Sequence, residues 1–289
     1  MKLITNDGTE TFFNEEYKEA YHSTKAGAYV ESLHKFVNPC KIRELSKSQK
    51  TVKILDVGFG LGYNVAVALE QAVLENPDIK LNVISIEKDI NVFKRIKQLN
   101  IPDNLVNYYR ILNSGIFREE MIDNHRLNVY CVEDKNLSLK VILDEGRKVI
   151  KLLKNSKMKF DAIFYDAFSP KVNTEMWTVD IFKLIKNLIK EEGILATYSA
   201  SLAVRKGLIE AGFKVGLVEP VGRKSYSTVA TLKGNISPLN EKEKFRLENS
   251  PYAIPYRDPE LKLTPEEIKK NWEEKIKGRE TYENKRAFN

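Results

Sequence analysis

The chain has 289 residues, 42% of them hydrophobic, and a formal net charge of +7 with a pI of about 9.1. This hydrophobic content supports one large core, and no apolar run approaches the ~18 residues of a membrane span, which argues against a membrane protein. The two cysteines and three histidines show no ligand spacing, so we expect no metal. The N-terminus lacks the apolar segment of a signal peptide, which predicts a cytoplasmic protein. The basic balance fits either a polyanionic partner or a well-solvated surface.

Strands and helices alternate through most of the predicted order. A small hairpin with an Asp-Gly turn is predicted over 3–13, a helical region over 14–45, and irregular or helical structure over 100–126. Strands are expected at 52–57, 81–86, 127–132, 137–143, 160–165, 193–198, 213–218 and 226–232. Helices are expected at 62–75, 90–99, 146–154, 178–190 and 201–210. This alternation predicts an α/β fold with a Rossmann-like, doubly wound mixed sheet, whose last two strands are antiparallel.

The composition changes after Gly234. Residues 235–263 carry four prolines and no clear period, and Thr264 then starts a helix with a capping-box glutamate three residues later. Apolar residues of this helix recur at i, i+4 spacing and predict a docked face: Ile268, Trp272 and Ile276. We therefore divide the chain into three parts: an N-terminal hairpin and helical extension (1–50), a main domain (51–234) and a C-terminal strap and helix packed on it (235–289).

A glycine-rich turn follows the first strand of the main domain. Gly58, Gly60 and Gly62 form G-x-G-x-G behind Asp56, which stands near the strand end. Glycines there let the backbone approach a ligand and enter a helix N-terminus. Glu87 closes the next strand, where a carboxylate can accept hydrogen bonds from both ribose hydroxyls of an adenosine. The alternative is a structural turn beside a solvated glutamate.

Two further positions carry charge at predicted strand ends or turns. Asp144 or Glu145 could accept the exocyclic amine of adenine, or both could simply favour the N-terminus of the next helix. Arg223 and Lys224 lie in the turn between the last two strands. That turn could hold a phosphate or form a solvated hairpin tip.

Asp166 ends an apolar strand and is followed by the turn at Ser169 and Pro170. A charged group at the carboxyl end of a sheet strand occupies the edge where open α/β sheets bind ligands. Aromatic neighbours, among them Phe168 and Trp177, indicate a partly desolvated carboxylate near a cavity, which would have a raised pKa. The alternative is a helix cap or a turn residue.

Four blocks of residues carry a resemblance to a known family: 57–64, 166–177, 193–198 and 222–224. Together they resemble the class I S-adenosylmethionine-dependent methyltransferases, and more narrowly the methyltransferase half of the MnmC family of tRNA wobble-uridine modification enzymes. Residues 21–31 and 254–258 are similar to the stand-alone members. The resemblance covers most of residues 10–280. The Asp-Ala-Phe-Ser-Pro…Met-Trp block is specific, whereas the glycine block is shared by many methyltransferases.

This resemblance implies a reaction. A methyl group would pass from S-adenosylmethionine to the amine of 5-aminomethyluridine, often 2-thiolated, in tRNA. The larger family enzyme carries an FAD-dependent oxidase domain that makes this amine. We expect this chain to lack such a domain and to depend on a separate enzyme or pathway for its substrate.

The resemblance also implies roles for the site residues. Asp166 would orient the amine, take its proton or stabilise the developing positive charge. The cofactor would be held by Asp56, Gly58, Phe59, Gly60, Gly62, Asn64, Glu87, Asp144 or Glu145, and Asp166. The flipped-out base would stack on Tyr21, Phe168 and Trp177, and tRNA phosphate would meet Arg223 and Lys224. The basic turn is sparser than is usual for the family, so we expect a weaker grip there, or one shared with the tail or the N-terminal helices.

Two rival functions use the same features. An aminopropyltransferase of the spermidine synthase type has the same fold, but its acceptor site would be acidic, which Arg223 and Lys224 oppose. A non-catalytic tRNA-binding protein could keep a degenerate cofactor pocket.

Overall fold

A computed structural model describes residues 1–287, with side chains described as far as Gly278. The strands are β1 (Lys2–Ile4), β2 (Glu10–Asn14), β3 (Glu19–Ala20), β4 (Thr51–Val57), β5 (Lys80–Glu87), β6 (Ile116–Ile122), β7 (His125–Glu133), β8 (Leu137–Leu143), β9 (Phe160–Tyr165), β10 (Ile189–Thr197), β11 (Lys214–Val218) and β12 (Ser227–Thr231). The α-helices are α1 (Ala28–Ser32), α2 (Ile42–Ser48), α3 (Tyr63–Glu75), α4 (Val92–Ile96), α5 (Val106–Leu112), α6 (Gly146–Asn155), α7 (Val179–Lys186), α8 (Leu202–Glu210), α9 (Glu241–Asn249) and α10 (Pro265–Ala287). A π-helical turn (Leu33–Val37) extends α1, and 3₁₀ turns cover Asp103–Leu105 and Thr174–Trp177.

The main sheet has the strand order β11-β12-β10-β9-β4-β5-β8-β7-β6. Its central strands β10, β9, β4, β5 and β8 are parallel, and the strands at both sides of them pair antiparallel. The predicted Rossmann-like mixed sheet with an antiparallel final pair is confirmed. Strand β4 is the first of the parallel strands in the chain. Strands β5 and β8 lie on one side of it and β9 and β10 on the other, so the carboxyl ends of β4 and β9 are adjacent.

The innermost strands, β4 and β9, are largely buried on both faces, as is usual for parallel strands. Alternate residues of β4 point to opposite sides of the sheet: Ile54 joins the apolar cluster that contains α3, and Leu55 joins the cluster that contains α6, α7 and α8. Helices cover both faces for this reason, and ligands can approach only at the strand ends.

The C-terminal strap is held by a buried ion pair. The carboxylate of Asp258, which is fully buried, accepts a hydrogen bond from the Arg147 guanidinium at 2.8 Å. The capping box that starts α10 is confirmed, because Thr264 and Glu267 exchange side-chain-to-backbone hydrogen bonds. The predicted apolar face of α10 is confirmed as well: Ile268 and Ile276 are buried, and Trp272 packs on the same cluster.

Several predicted elements are confirmed and others were wrong. The N-terminal hairpin forms between β1 and β2. The helical prediction for 14–45 was wrong over its first half, because 15–27 is a strap of turns with the two-residue strand β3. Helix α4 is shorter than predicted. Strand β6 and helix α9 were missed, because their charged, largely exposed residues show neither the two-residue apolar period of a strand nor the 3.6-residue period of a helix.

The three-part division of the chain stays a proposal. Among the described residues, every helix is too short or too polar to cross a membrane.

Candidate active site

A cavity of about 530 Å³ opens at the carboxyl ends of the central strands. Its floor is formed by the residues that follow β4, β5, β8, β9 and β10. This is the edge where a doubly wound sheet leaves a crevice between loops that leave in opposite directions. Most of the predicted site residues meet here: Gly58, Phe59, Gly60, Glu87, Asp144, Glu145, Asp166, Phe168, Tyr21 and Arg223.

The glycine turn and the end of β9 touch through their backbones. Gly58 has a φ of 99°, which favours glycine. A Cβ at this position would lie 2.6 Å from the carbonyl oxygen of Asp166. The Asp166 N–H also donates to the Val57 carbonyl at 2.8 Å. The two loops therefore hold Asp166 directly beside the glycine turn, with no side chain between them.

The carboxyl group of Asp166 is fixed by one hydrogen bond. The Asn64 side-chain amide, in the first turn of α3, donates to it at 2.7 Å. Burial, and then the negative charge of Glu31, raises the pKa of Asp166 well above its usual value. A carboxylate with a raised pKa is a better base for an ammonium group. The carbonyl oxygen of the buried Asn64 amide has no hydrogen-bond partner among the described residues.

Glu87 lies at the end of β5 with both carboxylate oxygens held by backbone N–H groups. One oxygen accepts from Gly60 at 2.9 Å, and the other accepts from Lys88 and Asp89 at 2.8 Å. Burial raises its pKa. These contacts orient the carboxylate at the cavity rim, next to the glycine turn.

Asp144 and Glu145 both line the cavity, and both have local partners. Glu145 is the N-cap of α6, accepting from the Lys148 N–H at 3.0 Å, and it also pairs with Arg147. Asp144 accepts from the Glu145 N–H and pairs with the Lys148 ammonium. Asp144 and Glu145 therefore both stay candidates for the contact with adenine.

The N-terminal extension supplies a wall that sequence reasoning missed. His22, Glu31 and Lys35 are all buried and all line the cavity. Glu31 accepts from the Lys35 ammonium at 2.5 Å and from the Ser23 N–H at 2.7 Å. The pair has i, i+4 spacing, which in sequence is typical of an exposed helix surface, so its burial had no signal in the pattern.

A second missed contact crosses the cavity mouth. The Tyr17 ring stacks on Phe168 with centroids 4.3 Å apart, and Glu19 accepts from both the N–H and the hydroxyl of Ser169. Tyr21 also packs on Phe168, at 5.4 Å. The strap over 15–27 thus lies against the loop that follows Asp166, and the aromatic residues predicted to stack on a base are clustered at its edge.

Some predicted site residues lie elsewhere. The Asp56 carboxyl group is fully buried below the turn, where it accepts from the Ser85 hydroxyl at 2.8 Å, so it does not reach the cavity. Trp177 is fully buried and its indole N–H donates to the Phe168 carbonyl. The prediction that Trp177 stacks on a base is therefore wrong, since its ring already packs in the core. Gly62 caps α3 behind Phe59.

The basic turn is split between two environments. Lys224 is exposed. Arg223 is directed inward, with its guanidinium donating to the Tyr198 carbonyl and to the Ser227 hydroxyl, and burial lowers its pKa. The Arg223 side chain lines the cavity wall, and its contact with a tRNA phosphate stays a prediction.

The cavity is acidic although the chain is basic. Among the lining residues, seven carry a carboxyl group (Glu19, Glu31, Glu87, Asp144, Glu145, Asp166 and Glu175) and four carry a cationic side chain (Lys25, Lys35, Lys88 and Arg223). Such a lining attracts cationic ligands. A sulfonium and a primary ammonium are both cations.

The residues present fit S-adenosylmethionine. The turn at Gly58 has no side chain to block a close approach to the strand ends. The oriented carboxylate of Glu87 is of the type that accepts ribose hydroxyls. The cavity adds further acceptors at Asp144 and Glu145.

Comparison with known proteins agrees with this geometry. Residues 116–233 match a family described as S-adenosyl-L-methionine-dependent methyltransferase. The crystal structure of MnmC2 from Aquifex aeolicus is 41% identical, with a TM-score of 0.83, over 96% of this chain and 85% of that chain. An uncharacterised protein of Methanocaldococcus jannaschii is 32% identical over 94% of this chain and 71% of its own length.

One longer relative is named for its part in the biosynthesis of a modified tRNA nucleoside. The tRNA 5-methylaminomethyl-2-thiouridine biosynthesis bifunctional protein MnmC of Campylobacter concisus is 30% identical over 76% of this chain. The match spans 34% of that protein. The chain belongs to the MnmC2 family and is an S-adenosylmethionine-dependent methyltransferase.

Proposed function

We propose that this chain methylates the primary amine of 5-aminomethyluridine, with or without a 2-thio group, at the wobble position of tRNA, giving 5-methylaminomethyluridine. The proposal is supported by the family and by the product named for the MnmC relatives. It is also supported by an acidic cavity, which suits an acceptor that arrives as an ammonium ion.

The placement of Asp166 carries the proposal. Its carboxyl group lines the cavity beside the glycine turn, is held by Asn64, and has a raised pKa. An ammonium has no lone pair, so the acceptor must lose a proton before it can attack. A desolvated carboxylate at this point can take that proton; for an amine that arrives already neutral, it can instead stabilise the positive charge that develops on nitrogen during methyl transfer.

The other residues bind and orient. Bound S-adenosylmethionine supplies a methyl group already activated by its sulfonium. Glu87 would hold the ribose, Asp144 or Glu145 the adenine, and the turn from Gly58 to Gly60 the methionine part. The chain then needs only to fix the amine in line. Tyr21 and Phe168 pack on each other at the cavity edge, and we expect them to stack on an extruded base.

Binding of the tRNA backbone would fall to the surface and not to the cavity. The net charge of +7 is carried outside an acidic site, which suits phosphate contacts around an extruded nucleotide. Exposed Lys224 is one such candidate. The amine itself must come from an earlier reaction that installs an aminomethyl group on carbon 5 of the uracil, the step we assign to a separate enzyme or pathway.

The test is methyl transfer with nucleoside analysis. The chain is incubated with tRNA carrying 5-aminomethyluridine and methyl-labelled S-adenosylmethionine. The tRNA is then digested, and its nucleosides are separated and identified by mass spectrometry. We expect the label in 5-methylaminomethyluridine. Label in another nucleoside, or none, would contradict the proposal.

The acidic lining also favours one rival, a transfer to a free polyamine. Sequence reasoning assigned an acidic acceptor site to the spermidine synthase type, and the cavity has that character. Putrescine with decarboxylated S-adenosylmethionine is therefore the comparison reaction. Product from that pair and none from tRNA would favour the rival.

A further inference from the structure

We propose that the buried pair Lys35–Glu31 reads the polar edge of the acceptor base. Lys35 would donate to the ring carbonyl at position 4, and Glu31 would accept from the ring N–H at position 3. This inference rests on the proposed function and adds the residues that would select a uracil ring.

The pair is a built site inside the cavity. Lys35 and Glu31 are 2% and 7% exposed, yet both line the cavity. Glu31 is held from behind by the Ser23 N–H at 2.7 Å. The ammonium of Lys35 has three donors, and in the described part of the chain it donates to Glu31 at 2.5 Å. Donors thus remain for a ligand.

A neighbouring orphan group marks the same wall as a ligand surface. His22 is 5% exposed and lines the cavity, and its Nδ1 has no hydrogen-bond partner among the described residues, lying 3.6 Å from Glu31. Buried polar atoms without partners are uncommon in proteins. A polar group of a bound ligand would satisfy this one.

The pair lies on the acceptor side of the cavity. Glu31 lies in α1 of the N-terminal extension, and its charge acts on Asp166, Tyr198 and Arg223, which come after β9, β10 and β11. The ribose and adenine candidates come after β5 and β8, on the other side of β4. The position of Glu31 on this side of β4 therefore favours the base over the cofactor as the ligand of the Lys35–Glu31 pair.

The hydrogen-bonding character of these groups suits the ring. In 5-aminomethyluracil the aminomethyl carbon, the carbonyl at position 4 and the N–H at position 3 follow one another along one edge. Asp166 for the amine, Lys35 for the carbonyl and Glu31 for the N–H give the complementary sequence of acceptor, donor and acceptor. Cytosine presents the opposite pattern at positions 4 and 3, with an amine donor and a bare acceptor nitrogen.

The experiment compares two bases and two double variants. Oligonucleotides of the anticodon stem-loop carry either 5-aminomethyluridine or 5-aminomethylcytidine, and kcat, KM and the Kd for S-adenosylmethionine are measured. The variant Glu31→Gln/Lys35→Met removes both buried charges together, which spares the fold the cost of one unpaired charge. The control Glu15→Gln/Lys18→Met removes an exposed ion pair of the same extension.

We expect the wild type and the control to prefer the uridine substrate by about 100-fold in kcat/KM, the upper end of the discrimination that one pair of hydrogen bonds to a base edge provides. The buried double variant should lose most of this preference, chiefly through KM, with an unchanged Kd for the cofactor. An undiminished preference in that variant, or an equal rate of wild type on both bases, would overturn the inference alone. A tenfold weaker cofactor Kd would overturn it in favour of a methionine subsite. A wild type inactive on both substrates would overturn the proposed function as well.

Discussion

The carboxyl group of Asp166 is held in place by Asn64 and has a raised pKa, and the proposed methyl transfer depends on both properties. The substitution Asp166→Asn keeps the shape and the Asn64 contact region but removes the proton acceptor. We expect kcat for methyl transfer to fall by about 10²–10⁴-fold, with the Kd for S-adenosylmethionine within a few fold of wild type. Single-turnover kinetics and calorimetry measure the two quantities. Asp78→Asn, an exposed aspartate, is the control. Joint loss of rate and cofactor binding would show a structural role instead.

Asp56 makes a prediction for the pH dependence of stability. Burial, opposed by the Ser85 hydrogen bond, raises its pKa from 3.8 to about 8. The unfolded carboxyl group loses its proton near pH 4, whereas the folded one keeps it to about pH 8. Stability therefore falls with rising pH across this window. Asp56→Asn has no such proton, so its Tm should rise relative to wild type between pH 5 and pH 8.

Thermal unfolding at several pH values measures this difference, with Asp103→Asn, at an exposed site, as the control. A Tm difference between variant and wild type that does not change with pH would contradict the assignment of Asp56 as a buried, protonated group.

The site was predictable where its chemistry follows a strand end. Asp166, Glu87 and the glycine turn could be placed because the carboxyl edge of a parallel sheet collects such residues. Glu31 and Lys35 could not, because their spacing is that of an ordinary exposed helix pair. Burial of a charged pair is decided by tertiary packing, which local pattern does not encode.

The C-terminal strap depends on one buried ion pair between elements. Asp258→Ala leaves the Arg147 guanidinium without its buried partner and frees the backbone N–H groups of Lys262 and Leu263. We expect a loss of about 3–5 kcal/mol in the free energy of unfolding, measured in urea. Glu260→Ala, in the same strap but exposed, should change it little. Equal effects of the two variants would contradict the role given to the ion pair.

Regular elements were predictable from their periodicity, and irregular or charged ones were not. Strands β4, β5, β8 and β9 fall within a residue or two of prediction because they are short segments rich in apolar and β-branched residues, either continuous or alternating. Strand β6 is mostly exposed at the edge of the sheet, so little selects apolar residues there. The strap over 15–27 holds its place through side-chain contacts with the cavity loops and not through a repeating pattern.

The whole molecule separates a basic surface from an acidic cavity, which predicts two different responses to salt. Binding of tRNA should weaken steeply between 50 and 300 mM salt, about as expected for several phosphate contacts. Binding of S-adenosylmethionine in the desolvated cavity should change little. Filter binding for tRNA and calorimetry for the cofactor measure both. A Kd for tRNA that does not change with salt would contradict the phosphate contacts inferred from the net charge.

The most direct test of the account is a crystal structure of the chain with S-adenosylmethionine. We predict the ribose at Glu87, the methionine part over the turn at Gly58, and the methyl group facing the carboxyl group of Asp166 across the space left for the amine. A cofactor bound elsewhere, or one whose methyl group points away from Asp166, would contradict it.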